Sequence, residues 1–227
     1  MAVMLNQEYP QLFHEGASSA VMEGAPLHWE LPTSGTALKL VPEDYVNAAR
    51  QLGIETAAVH AVAQVESSGG GFDPKNRPKL RYENHHFRAL TKHKYDKSRP
   101  DLSNTYRSPQ YKATHRLGAD QQWKLLTDAW ALAPDEAVQA CSWGMFQVMG
   151  EAYKAVGWTS LEQFVKDMFA SEQQHLRAFM GFCRANNLLP YLKQAPPDFT
   201  SFAHGYNGAA TVGYDVKMRS FYRRYSK

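Results

Sequence analysis

Apolar side chains recur at helical spacing along most of the chain, and this pattern predicts a mostly helical protein. The first helix is expected to begin at Pro42, because proline suits a first helical turn, and to end at Gly53. A second helix is predicted over residues 55–66, and the last apolar stripe predicts a helix over residues 214–225. Residues 79–87 instead favour a short strand or hairpin arm. We therefore predict a mostly α fold with one small β element.

The middle of the chain is less regular. Residues 85–124 are rich in His, Lys and Arg and carry several loop residues, so we interpret them as a long, partly irregular insertion. Pro134, followed by two acids, predicts the start of a helix that ends at residues 141–144. Ser160 and Gln163 have the spacing of a capping box at the start of another helix.

Residues 1–40 differ from the rest because proline and glycine interrupt them every few positions. This stretch is too short for an independent module of ordinary size. We predict an N-terminal arm that is either flexible or packed on the main domain through Leu27, Trp29 and Leu31. The main domain is then residues 41–227.

Composition excludes some classes of protein. No apolar run reaches the roughly 18 residues that a membrane-spanning helix needs. The N-terminus lacks the cationic and apolar pattern of a secretory signal. Cys141 and Cys183 both lie in apolar helical patterns, so we predict buried free thiols and no disulfide.

The formal net charge is only +3, but its distribution is uneven. After Asp215 the chain ends in five cations and no acid: Lys217, Arg219, Arg223, Arg224 and Lys227. Such a basic helix favours contact with an anionic surface such as a bacterial envelope. The alternative is an ordinary solvated helix face. No motif indicates specific nucleic-acid binding.

One acidic residue stands at an apolar position. Glu66 ends the second helical pattern, and Val59, Val62 and Ala63 precede it by seven, four and three positions. This spacing places the Glu66 carboxyl on the inner face of the helix. Burial disfavours the charged form there, so its pKa is expected to rise towards the range of a general acid. Residues 67–71 contain three consecutive glycines, which allow another backbone or a ligand to come close.

Four short strings, in order along the chain, resemble those of one enzyme family. They are VESSG at residues 65–69, RYENH at 81–85, SWGMFQVMG at 142–150 and FAHGYNG at 202–208. Together they are similar to the N-acetylmuramidase family of phage and prophage endolysins, within the lysozyme-like superfamily. The resemblance implies a lysozyme-like helical domain.

The resemblance also implies a peptidoglycan hydrolase that cuts the β-1,4 bond between N-acetylmuramic acid and N-acetylglucosamine. Carried over by position, Glu66 is the general acid that protonates the departing glycosidic oxygen. Glu83 occupies the second acidic position of the family and would act as general base or electrostatic partner. Two alternatives stay open: Glu83 could simply pair with Arg81 and the nearby histidines, and Asp101 is a rival second carboxylate on a loop.

Four further residues are candidate substrate contacts on the same resemblance. Ser142 and Gln147 would hydrogen-bond the sugar or the attacking water. Tyr206 and Asn207 would line the cleft, although an Asn-Gly pair also suits an ordinary turn between two helices.

The histidines at positions 85, 86, 93 and 115 raise a metal hypothesis. Adjacent histidines do not easily converge on one ion, and no His-Glu-x-x-His pattern accompanies them. We predict neither a metal nor another cofactor.

The predicted hydrolase would act as a monomer on peptidoglycan glycan strands. Lacking a signal, it would accumulate in the host cytoplasm and reach the wall after holin-type release, as the family implies. A lytic transglycosylase, which uses a single acid and closes an anhydro ring without water, is the nearest alternative. A non-catalytic cell-wall binding module is the alternative from another class.

Overall fold

A computed structural model describes residues 29–67, 69–208 and 213–227, with only the backbone of Asn207. Within these ranges the chain forms eleven α-helices and three short strands. The helices are α1 Pro42–Leu52, α2 Thr56–Glu66, α3 Asn84–Leu90, α4 Pro109–Thr114, α5 Ala119–Trp130, α6 Pro134–Gln139, α7 Leu161–Ala170, α8 Glu172–Ala185, α9 Leu189–Leu192, α10 Phe199–Asn207 and α11 Tyr214–Tyr225; the strands are β1 Leu80–Tyr82, β2 Cys141–Trp143 and β3 Val148–Met149. The prediction of a mostly helical protein with a small sheet is confirmed.

Helix α2 lies at the centre of the fold. It is apolar around most of its circumference, and Ala58, Ala61 and Val62 are completely buried, as expected of a helix covered on several sides. Helix α1 packs on one side of it and α11 on another. At the ends of the α2–α11 contact, Tyr222 donates a hydrogen bond of 2.7 Å to Glu55, and Tyr225 stacks on His60. The sequence therefore places Glu66 at the end of the most enclosed helix.

Helix α1 begins and ends as its sequence predicts. Pro42 occupies the first helical turn, where its missing N–H is not needed. Gly53 ends the helix in a left-handed conformation, with φ of 65°, and its N–H bonds the carbonyls of Ala49 and Arg50. This termination turns the chain directly into α2.

The sheet is antiparallel, in the order β1-β2-β3. Arg81 pairs with Ser142, and Ser142 pairs with Met149 on its other side. The strand predicted over residues 79–87 covers only Leu80–Tyr82, and its second half was wrong because the chain enters α3 at Asn84. The helix end predicted at residues 141–144 was also wrong, since Cys141 opens β2. The partner of β1 lies about sixty residues away, so local spacing could not show the pairing.

Two predictions for the middle of the chain need adjustment. Residues 85–124 contain α3, α4 and the first part of α5, joined by turns, and are more regular than expected. At the start of α7, Ser160 Oγ accepts the Gln163 N–H at 3.1 Å. The Gln163 side chain, however, donates to Asp167 at 2.8 Å, so only one half of the predicted capping box forms.

The described part of the N-terminal arm, residues 29–40, lies against the helical domain. Trp29 meets Trp130 edge to face at a ring distance of 4.6 Å. Leu38 forms a parallel bridge with Ser171. Leu27 lies outside the described residues, and the division of the chain at residue 40 stays a prediction.

The two cysteines are confirmed as buried free thiols, and burial raises the pKa of both. Cys141 lies on a strand, however, and only Cys183 lies on a helix. None of the described helices is both long and apolar enough to cross a membrane.

Candidate active site

Glu66 is the last residue of α2, and its side chain points into the protein, with 3% of the residue exposed. Its neighbours are Cys183 on α8 and Tyr206 on α10, both buried. The pKa of Tyr206 is well above its ordinary value because of burial, with a contribution from the negative charge of Glu66. Glu66 therefore lies buried at the carboxyl end of α2, beside a thiol and a phenol.

The glycine loop after Glu66 is held by α8. The Gly71 N–H donates to Glu172 Oε1 at 2.7 Å. A Cβ atom at Gly71 would overlap the ring of His175, so only glycine allows this approach. The close contact that the three glycines predicted is therefore made, and the group that approaches is a protein side chain.

Glu172 ties three segments together. Besides Gly71, its carboxylate accepts the Leu40 N–H at 3.0 Å and pairs with Lys39 at 3.0 Å. Burial opposes ionisation of Glu172, but these hydrogen bonds and the lysine outweigh it and hold its pKa below the ordinary value. The arm, the loop after Glu66 and α8 consequently share one buried carboxylate.

His175, one turn further along α8, joins the same loop to the turn between β2 and β3. Its Nδ1 accepts the Met145 N–H at 3.2 Å, and its Nε2 lies 2.7 Å from the Met168 carbonyl oxygen. The neutral Nε2–H tautomer satisfies both contacts. Burial lowers the pKa of His175 to about 4, despite the Met168 carbonyl and the charge of Glu172.

Glu83 follows β1 and precedes α3, and only 4% of it is exposed. Its backbone N–H bonds the Ala140 carbonyl at 3.0 Å, which extends the β1–β2 pairing by one residue. Its Oε2 lies 2.9 Å from His115 Nε2 and 3.7 Å from His85 Nδ1. The expected pairing with a nearby histidine is thus present, and it is His115 that makes the hydrogen bond.

Asp101 has a different environment from Glu83. About half of its side chain is exposed (52%), and both carboxylate oxygens bond Arg99, at 2.9 and 2.6 Å. Arg99 holds the pKa of Asp101 below its ordinary value. A carboxylate occupied in this bidentate way is a structural ion pair rather than a free base.

Ser142 and Gln147 bond to each other. Ser142 Oγ donates to Gln147 Oε1 at 3.0 Å, and Gln147 Nε2 bonds the carbonyls of Gly144, at 2.9 Å, and Lys79, at 3.3 Å. Gln147 also has a positive φ of 52°, a strained conformation for this residue type. Its amide therefore joins the turn between β2 and β3 to Lys79, the residue that precedes β1.

Tyr206 donates its phenol hydrogen bond to the Phe146 carbonyl at 3.1 Å. This contact joins α10 to the same β2–β3 turn. Asn207 ends α10, and its side chain lies outside what the structure describes. Among the described residues, no three His, Cys, Asp or Glu side chains are placed to hold a metal ion.

Comparison with known proteins identifies the family. Residues 55–226 match the Muramidase family, whose members are described as N-acetylmuramidases. The chain belongs to this family. No curated protein sequence matches it. Among solved structures, it is similar to the crystal structure of the Burkholderia AP3 phage endolysin, with 35% identity over 83% of this chain and 72% of that chain, and a TM-score of 0.75.

This muramidase is accordingly a glycoside hydrolase, as the four sequence strings predicted. Its structure adds three polar residues that the strings did not indicate: His115, which is partly buried, and Glu172 and His175, which are buried. The only sequence signal for the last two was their spacing, one turn apart at the start of an apolar helix. An acid in a first helical turn is so common that this signal was not specific.

Proposed function

We propose that this muramidase hydrolyses the β-1,4 bond between N-acetylmuramic acid and N-acetylglucosamine, with Glu66 as the general acid. The observation that carries the proposal is the position of Glu66, an acid that is 97% covered at the end of the central helix. Burial is the condition that general acids of glycosidases commonly share, and a protonated carboxyl at this place can give its proton to the departing oxygen.

Glu83 is proposed as the second carboxylate, acting on the attacking water or on the developing positive charge of the sugar. One of its oxygens lies 2.9 Å from His115 Nε2, so the fold holds the Glu83 carboxylate in a fixed place. Asp101 is less suited, because Arg99 occupies both of its oxygens.

The four substrate contacts divide into two kinds. Tyr206 and Gln147 use their polar groups inside the protein, on the Phe146, Gly144 and Lys79 carbonyls. We propose that they shape the cleft floor and that Ser142, whose hydroxyl oxygen can accept a hydrogen bond while it donates to Gln147, bonds the sugar. Asn207 keeps its proposed place on the cleft wall.

The proposed setting is that of an endolysin, which is what the similar Burkholderia AP3 phage protein is called. The protein would act as a monomer and reach peptidoglycan after holin-type release from the host cytoplasm. Helix α11 could contact the anionic envelope through Arg223 and Arg224, which are exposed. Arg219 is partly neutralised by its ion pair with Asp215.

The deciding experiment compares Glu66→Gln and Glu83→Gln with wild type on purified peptidoglycan. We expect Glu66→Gln to lower kcat by about 10³-fold or more, because the proton donor is lost. Glu83→Gln is expected to lower it by at least about 10²-fold. Circular dichroism spectra should be unchanged, and Asp101→Asn serves as the control carboxylate.

Mass spectrometry of the digest then identifies the bond and the reaction. Reducing N-acetylmuramic acid ends are expected. Anhydromuramic ends together with an active Glu83→Gln variant would establish the transglycosylase instead. Binding without cleavage by wild type would indicate a cell-wall binding module, and lysis by Glu66→Gln would remove Glu66 from the mechanism.

A further inference from the structure

Three side chains form a chain of contacts that ends on Glu83. Arg81 Nη1 lies 3.4 Å from His115 Nδ1, and His115 Nε2 lies 2.9 Å from Glu83 Oε2. A guanidinium group can only donate hydrogen bonds. His115 Nδ1 is therefore the acceptor in this contact, which leaves Nε2 to carry the ring hydrogen and donate it to Glu83 Oε2.

The fold holds all three members in place. Arg81 and Glu83 are two residues apart, so they leave the extended chain on the same side. His115 follows α4, and its ring lies against Tyr111, one turn earlier, at a ring distance of 4.0 Å. Because Tyr111 is itself buried, this ring contact holds the imidazole plane independently of Glu83.

The geometry points to His115 as the positioning residue of Glu83, with Arg81 selecting its tautomer. This inference rests on the proposed role of Glu83. By holding Oε2, the His115 N–H sets the rotation of the carboxylate and directs Oε1 to the reacting water or sugar. A neutral donor does so without neutralising the carboxylate, as an imidazolium ion would.

The surrounding charges favour this arrangement. The described contacts of the His115 ring with titratable or charged groups include Arg81, Glu83 and Tyr111, and His85 lies close enough for an electrostatic interaction. A hydrogen on His115 Nδ1 would face the N–H of Arg81, so the tautomer with its hydrogen on Nε2 is the one that suits both contacts. His85 approaches Glu83 Oε2 at 3.7 Å, which is too long for a hydrogen bond, and it cannot substitute for His115.

Two substitutions at one position separate the hydrogen bond from the ring contact. His115→Phe keeps an aromatic ring on Tyr111 but removes the donor. His115→Gln loses the ring but keeps an amide N–H near the position of Nε2, and it cannot titrate. On peptidoglycan we expect kcat to fall about tenfold or more for His115→Phe, with KM changed less than twofold. His115→Gln is expected to recover most of the loss.

Recovery by the conservative variant tests the positioning role beyond simple loss of rate. A merely structural loss would not be restored by His115→Gln, which lacks the ring. Equal kcat values for wild type and His115→Phe, or a His115→Gln variant no more active than His115→Phe, would overturn the inference.

The tautomer is measured independently of activity. In ¹⁵N-labelled wild type at pH 7, the ring nitrogen shifts of His115 should show a protonated Nε2 and an unprotonated Nδ1. The opposite tautomer, or protonation of both nitrogens, would overturn the role of Arg81. This measurement uses the wild type, so it decides the question even if His115→Phe does not fold. Full activity of Glu83→Gln would instead refute the proposed catalytic role of Glu83 while leaving the tautomer result intact.

Discussion

Lowering the pH should destabilise this muramidase through His175. In the folded protein its pKa is lowered to about 4 by burial, whereas an unfolded chain has the ordinary histidine value of 6.5. Above pH 6.5 both states hold a neutral ring, so His175 imposes no cost. Between pH 6.5 and 4 the unfolded state binds the proton more readily, and the free energy of unfolding falls. Below pH 4 both states are protonated and the loss is complete.

The size of this loss follows from the two pKa values. A difference of about 2.5 units at 1.36 kcal/mol per unit corresponds to about 3 kcal/mol. Because His175 is only 1% exposed, solvent does not screen the effect. Against a total stability of about 5–15 kcal/mol for a domain, this is a large fraction.

Urea unfolding of wild type and His175→Gln at several pH values between 7 and 4 measures the effect. His175→Gln will be less stable at pH 7, because both ring contacts are lost, but its stability should fall less steeply with pH. His204→Gln, which replaces an exposed histidine on α10, is the control and should follow wild type. Parallel pH profiles for wild type and His175→Gln would refute the argument from burial.

Three further substitutions test individual contacts. Gly71→Ala should lower the free energy of unfolding by about 1–3 kcal/mol, because the added Cβ overlaps His175. Gly118→Ala is the control, since a Cβ there meets nothing within 4 Å, and it should cost less than about 1 kcal/mol. Thermal denaturation compares the two variants. Glu172→Gln should lower the free energy of unfolding in urea by about 2 kcal/mol, since the Gly71 and Leu40 amides lose a charged acceptor. The control is Glu162→Gln, which removes an exposed ion pair with Lys166. Equal costs for the two variants would contradict the prediction. Tyr206→Phe should cost about 1–2 kcal/mol by leaving the Phe146 carbonyl unpaired, and an unchanged melting temperature would count against that bond.

The sequence was informative where structure depends on neighbours along the chain. Pro42 and Gly53 bound α1 because their backbone preferences are local, and Glu66 is buried because its helical spacing is local. The small sheet was only half predicted. Its β1 and β2 strands are three residues each and pair across about sixty positions, so neither carries a periodic signal of its own.

The candidate site shows the same limit. Motif resemblance indicated Glu66 and Glu83, but the groups that hold them come from distant segments. His115 reaches Glu83 from 32 positions away, and Glu172 reaches Gly71 from 101 positions away. Contacts of this kind depend on how helices pack, and a single sequence contains no pattern that reports them.

The two proposed catalytic acids are distinguished by what surrounds them more than by where they stand in a motif. Glu66 is buried at the carboxyl end of α2, beside Cys183 and Tyr206. Glu83 lies 2.9 Å from the ring of His115, which in turn lies beside Arg81. Glycoside hydrolysis commonly requires one carboxyl that donates a proton and a second that stays charged, and we propose that Glu66 and Glu83 divide these roles. Because His115→Phe changes the surroundings of Glu83, it should impair the second role while the buried acid keeps its place.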